Sequence, residues 1–326
     1  MLRPLFSAQP AGFLFLLFFV AAFSVEPLLH PMPVEEFSLL QQYGIHFPVA
    51  EQIPPVVFTV LYGLFLLTIG FVVSYSAMIA RFTHHLSLLP TFVFYALGML
   101  APVAVPHITS LFFVLIAVLL LQQIARVYNR QRADSLLLNA GLLFGLLTLL
   151  ELQWLLALPV LFIMIARLRN LQWRESIVVL SGVVVVHFLT ATALLWLQGW
   201  PAVVARYDVQ LFRTDWPELS WVEIAQLAIV AVLVAAAYLT LLGKLSSQII
   251  QFRRNFSIWN ILFLTATALW IISGTAYPAY SGTVLAMAAA FLAWWWQFSV
   301  QQERATIWVL TLAGLVFVFQ YINFGA

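Results

Sequence analysis

Long apolar runs separated by short connectors recur along this chain, and the flanking segments alternate in charge. Twelve of the fourteen Lys and Arg residues lie in the N-terminal segment and every second connector, with only three of the twelve Asp and Glu residues. The other connectors hold two arginines and nine acids. About 20 apolar residues cross a bilayer as a helix, which satisfies its own backbone polar groups in lipid. Basic residues are held back on the cytoplasmic side. The pattern predicts an all-α, polytopic integral membrane helical bundle in a bacterial inner membrane, with the N-terminus cytoplasmic.

The apolar runs fall at about 11–29, 54–79, 87–105, 109–127, 135–150, 153–168, 175–197, 224–243, 257–274, 279–298 and 305–322, about eleven spans in one transmembrane domain, 1–326. The third with the fourth, and the fifth with the sixth, are short and joined by tight turns, as hairpins that stop short of full spans. The cytoplasmic set is Arg3, Arg81, Arg126, Arg130, Arg132, Arg167, Arg169, Arg174, Lys244, Arg253, Arg254 and Arg304. Met1 to Ser24 is expected to stay attached as the first anchor. Trp294, Trp295 and Trp296 are expected in an interfacial aromatic belt. Only 8% of the 326 residues are charged, against about 25% in soluble domains. Nucleic acid is excluded as a partner, because orientation already accounts for the basic residues; membrane lipids are the expected surroundings. Cysteine is absent, which removes disulfides, thiolate metal sites and cysteine nucleophiles.

Chemistry concentrates in two outer loops, at about 30–53 and 198–223. The first loop region carries Glu26, Glu35, Glu36 and Glu51 with His30 and His46. Carboxylates of this kind supply a general base or ligate a hard divalent cation, although the spacing fits no strict metal motif and the metal stays unassigned. A solvated acidic loop is the plainer alternative. The second loop holds Arg206 and Arg213, the only outer cations, two helical turns apart and so on one helix face. Arginine suits bidentate phosphate binding; pairing with Asp208, Asp215 or lipid headgroups is the alternative. Tyr207 and Asp208 beside Arg206, Glu151 at a hairpin turn and His187 inside a span are cavity candidates, since ionisable groups at membrane depth are functional by default. No phosphate-binding glycine loop, zinc-protease helix or nucleophile elbow occurs.

The run from Asp134 to Glu151, continuing through Leu158, Pro159, Arg167, Arg169, Trp173, Arg174 and Glu175, resembles an uncharacterised family of polytopic inner-membrane proteins from Bacteroidota. The same hairpin, with Ala140, Gly141 and Gly145, also resembles the central spans of GT-C-class glycosyltransferases. That likeness implies a polyprenyl-phosphate-linked sugar as substrate and an acidic residue just after span 1 as base or metal ligand. Glu26, Glu35 and Glu36 stand in that place. Where a basic residue often follows the Gly-rich span, this chain has Glu151. Three function classes follow: a lipid-linked sugar transferase, a lipid or small-anion transporter, and a non-catalytic partner in envelope assembly.

Overall fold

The computed structural model describes residues 10–23, 54–82, 86–100, 108–128, 130, 132–207, 221–273, 278–299 and 310–319. Among these every regular element is helical. The helices are α1 (Pro10–Phe23), α2 (Pro55–Ile79), α3 (Leu89–Leu100), α4 (Ile108–Val127), α5 (Asp134–Leu150), α6 (Leu158–Leu168), α7 (Trp173–Gln198), α8 (Trp200–Tyr207), α9 (Trp221–Lys244), α10 (Ile250–Ser273) and α11 (Pro278–Ser299), with α12 at Leu310–Phe319. A 3₁₀ turn, Leu152–Ala157, leads into α6.

Five segments, Thr59–Ile79, Ser110–Val127, Trp173–Gln198, Trp221–Ser247 and Ile250–Ile272, are long and apolar enough to cross a membrane. Several others are shorter, although α11 has 22 residues. The 12 residues of α3 rise only about 18 Å, and α5 also falls short of a full span at 17 residues. The brevity expected of the two hairpins is present in α3, α5 and α6 but not in α4, which is long enough to cross a membrane.

The bundle is built around α11. Its sequence is apolar all round, and such a helix finds no solvent-facing side and goes to the centre. It packs on α2, α3, α4, α9 and α10, with Ala286, Ala288, Ala289, Ala290 and Ala293 all buried. Small side chains let neighbouring backbones come close, which matters where lipid removes the hydrophobic drive between helices. Trp294 and Trp296 are buried too. Trp294 lies 4.3 Å from Phe252 and is stacked on Phe82 at 5.8 Å, centroid to centroid. The aromatic belt expected for these two residues is thus an internal aromatic core.

Phe82 reaches that core because α2 ends in a sharp left-handed turn. Arg81 has φ 63°, and the Phe82 amide returns to Ala77 O at 2.9 Å. This 6→1 bond places the following apolar side chain against the helix it leaves.

The basic turns gather at this same end. Arg169 pairs with Glu175 at 2.8 Å and donates to Arg130 O at 3.0 Å. Arg254 donates to Leu168 O at 2.9 Å and sits over Tyr128, while buried Asn255 donates to Ala80 O at 3.0 Å. Four connectors are tied together here by hydrogen bonds to orphan helix-end carbonyls.

Candidate functional site

The opposite end holds a polar cluster built from α5, α7 and α8. Helices α5 and α7 meet through glycine. A Cβ on Gly141 would stand 2.2 Å from Val179 O, and one on Gly182 would stand 2.7 Å from Leu142 N. Backbones this close permit side chains beyond the crossing to touch. Gly141, Gly145 and Thr148 follow at i, i+4 and i+7, so all three share one face of α5. Thr148 is buried there and lies 2.8 Å from His187 Nε2 on α7.

The chain leaves α7 at Gly199, whose φ of 84° lies in a region that glycine adopts without a Cβ clash. It then turns back as α8, which packs along α7. None of α8 is fully buried; its C-terminal residues hold it down. Tyr207 Oη lies 3.1 Å from His187 Nδ1, and the two rings are 5.8 Å apart. Arg206 donates to Leu149 O, in the last turn of α5. A cation there answers the negative end of the helix dipole.

Helix α5 stops at Glu151, whose backbone is extended at φ −134° and ψ 99°. Arg206 is held on Leu149 O, two residues before Glu151 along the chain, and precedes Tyr207, the partner of His187. Just beyond, buried Tyr280 at the start of α11 donates to Gln153 Oε1 at 2.9 Å. One carboxyl, one guanidinium, one imidazole and a phenol thus lie around the end of a Gly-rich helix. Such a group can bind an anion, move a proton, or do both.

Of the sequence candidates, Glu151, His187, Arg206 and Tyr207 come together. Glu26, Glu35, Glu36, Asp208 and Arg213 lie outside the described residues, as do His30, His46 and Glu51. Among the described residues no three His, Asp or Glu side chains form a metal-binding group. Sequence reasoning missed Thr148 and Gly182. The i, i+4, i+7 spacing of Gly141, Gly145 and Thr148 was the available signal; nothing comparable marks Gly182.

Fold and site define an all-α protein with, among the described residues, five helices suited by length and composition to a membrane and a polar cluster between its helices. No family profile, curated protein or solved structure matches the chain. What it does is argued from its own residues.

Proposed function

We propose that the chain is a bacterial inner-membrane protein of about eleven spans, N-terminus cytoplasmic, that handles a phosphate-bearing lipid at its outer end. Clustering of the basic turns at one end of the bundle supports that orientation, because the positive-inside rule then assigns that end to the cytoplasm. The polar cluster falls at the outer end. Helix α7 continues from His187 to Gln198, about 16 Å further, so the cluster sits below the outer surface, within reach of lipid.

The observation that carries the phosphate reading is Arg206 at the end of Gly-rich α5. Glu151 stands there in sequence, and the fold adds the basic group from α8. Guanidinium offers five N–H donors in a planar fork matched to phosphate oxygens. In the transferase form of this reading, a first-loop glutamate (Glu26, Glu35 or Glu36) takes the acceptor hydroxyl proton. The acceptor oxygen bonds to the sugar's anomeric carbon as the bond to the lipid phosphate breaks. The departing phosphate keeps the electron pair, and Arg206 with Arg213 holds its charge; a divalent cation in the acidic loop is compatible with this scheme.

Transfer of labelled sugar from a polyprenyl-phosphate donor in proteoliposomes tests it. Arg206→Gln is expected to lower the rate by about a hundredfold in protein that inserts normally. Wild-type rates in Glu26→Gln, Glu35→Gln and Glu36→Gln together would discard the transferase form.

A transport reading draws on one further observation, that the end of α5 brings Glu151 close to the Thr148–His187 contact and to Arg206 on Leu149 O. It expects Glu151→Gln and His187→Ala to change the pH dependence of anion flux into proteoliposomes. Flux unchanged in both removes it.

A further inference from the structure

Four hydrogen-bond contacts surround His187. Its Nε2 lies 2.8 Å from Thr148 Oγ1 and its Nδ1 lies 3.1 Å from Tyr207 Oη. Thr148 Oγ1 is also 2.8 Å from Gly145 O, and Tyr207 Oη is 3.3 Å from the carbonyl oxygen of His187 itself. Each hydroxyl has one proton to give, and a neutral imidazole has one more. Three protons cannot fill four contacts, so either neutral tautomer leaves one unmade. An imidazolium supplies the fourth. Both ring N–H groups then donate to the hydroxyls, and the hydroxyls donate onward to Gly145 O and His187 O. Of the three forms of the ring, only the charged one fills every contact.

What opposes that form is first the burial of the ring and second a neighbouring charge. The elements packed along α7 are α5 and α8. From them, the titratable or charged groups around His187 are Arg206 and Tyr207 on α8 and Glu151 just past α5. Arg206 precedes Tyr207 in the chain and donates to Leu149 O, one residue past Thr148, so it stands beside both hydroxyls that meet the ring, and one cation near another is unfavourable. An anion seated on Arg206 offsets that repulsion, so that the hydrogen-bond geometry has only burial to overcome.

We propose that His187 is a proton-binding site coupled to anion binding at Arg206, so that a phosphate group is taken up together with a proton. The inference rests on the lipid-phosphate reading above and adds the co-ligand. The proton comes from water, enters whichever ring nitrogen is bare, and leaves when the anion leaves. The shared chemistry is a phosphate group, whether on a lipid headgroup or free.

Nitrogen-15 spectra of histidine-labelled protein in nanodiscs test the coupling. The chain has six histidines, and His187→Gln assigns the signal. At one fixed pH, spectra are compared in phosphatidylcholine nanodiscs, the same with inorganic phosphate, and nanodiscs containing phosphatidic acid. The ratio of doubly to singly protonated His187 is expected to rise about tenfold with phosphate, phosphatidic acid or both. A rise with phosphatidic acid alone marks a headgroup as the ligand; a rise with inorganic phosphate alone marks a free anion.

Arg206→Gln keeps the membrane surface potential and should abolish the rise. Thr148→Val and Tyr207→Phe each delete two of the four contacts and should diminish it. Phosphorus-31 line broadening that depends on Arg206, with His187 unchanged in every arm, overturns the coupling and leaves the lipid-phosphate reading standing. No broadening and no change with phosphatidic acid overturns both.

Discussion

Asn255 shows how one side chain holds two helices at the basic end. It is fully buried on α10 and gives its Nδ2 proton to Ala80 O, the carbonyl left over where α2 stops. Removing a donor there strands a buried carbonyl, which costs about 1–3 kcal/mol. Asn255→Ala is expected to destabilise the protein by about that much, measured by thermal or denaturant unfolding in detergent. Asn255→Asp should be worse, because an ionised carboxylate only accepts and would face the oxygen of Ala80. An Asp variant as stable as wild type would remove the hydrogen bond from the account. A second residue-scale prediction concerns Tyr207. Tyr207→Phe keeps the ring against His187 and deletes one hydroxyl. A cysteine introduced at Ala205 should therefore react faster with maleimide in that background, as α8 loosens from α7; an unchanged rate would mean that Arg206 alone holds α8.

At the scale of elements the firmest constraint is the crossing of α5 and α7. Gly141 and Gly182 approach backbone atoms of the partner helix, so a side chain at either forces the helices apart. Gly141→Ala and Gly182→Ala are each expected to lose about 1–3 kcal/mol, the usual cost of overpacking, and to separate Thr148 from His187. Gly243→Ala and Gly314→Ala meet nothing within 4 Å and should be neutral or stabilising by up to about 1 kcal/mol. Equal effects at all four positions would sink the crossing. The helical class and the shortness of α3, α5 and α6 could be read from apolar run length, since lipid fixes how many residues a span needs; α4, expected to be short as well, is long enough to cross. The centre of the bundle could not. Run 279–298 looks like any other span, and its tryptophans read as a belt because burial by other helices leaves no trace in composition. The site was half legible: Glu151, His187, Arg206 and Tyr207 are conspicuous ionisable or aromatic residues among apolar neighbours. Their meeting depends on α8 folding back at Gly199, a tertiary event with no periodicity to announce it.

For the whole molecule, orientation is one property and not a separate one for each helix, because the basic connectors are physically joined. Arg169 links the segment after α6 to Arg130 before α5, and Arg254 links the start of α10 to Leu168. Asn255 adds the turn after α2. No one of these turns can cross the membrane without the others, so the bundle inserts one way or is inverted entire. The chain lacks cysteine, which makes every introduced thiol an unambiguous reporter. Asn170→Cys, in an exposed position between α6 and α7, should react with membrane-impermeant maleimide only after cells are permeabilised. Trp221→Cys, where Trp221 is 85% exposed at the start of α9, should react from outside in intact cells. The reverse pattern would turn the whole bundle over and place the Arg206 cluster on the cytoplasmic side, where lipid-linked phosphate chemistry would meet cytosolic partners. The span count follows from the last connectors by the same logic. With eleven crossings, thiols at Gln301 and Asn323 lie on opposite sides, the first protected and the second labelled in intact cells. Protection of both would mean an even number of crossings, with α12 failing to pass through the bilayer.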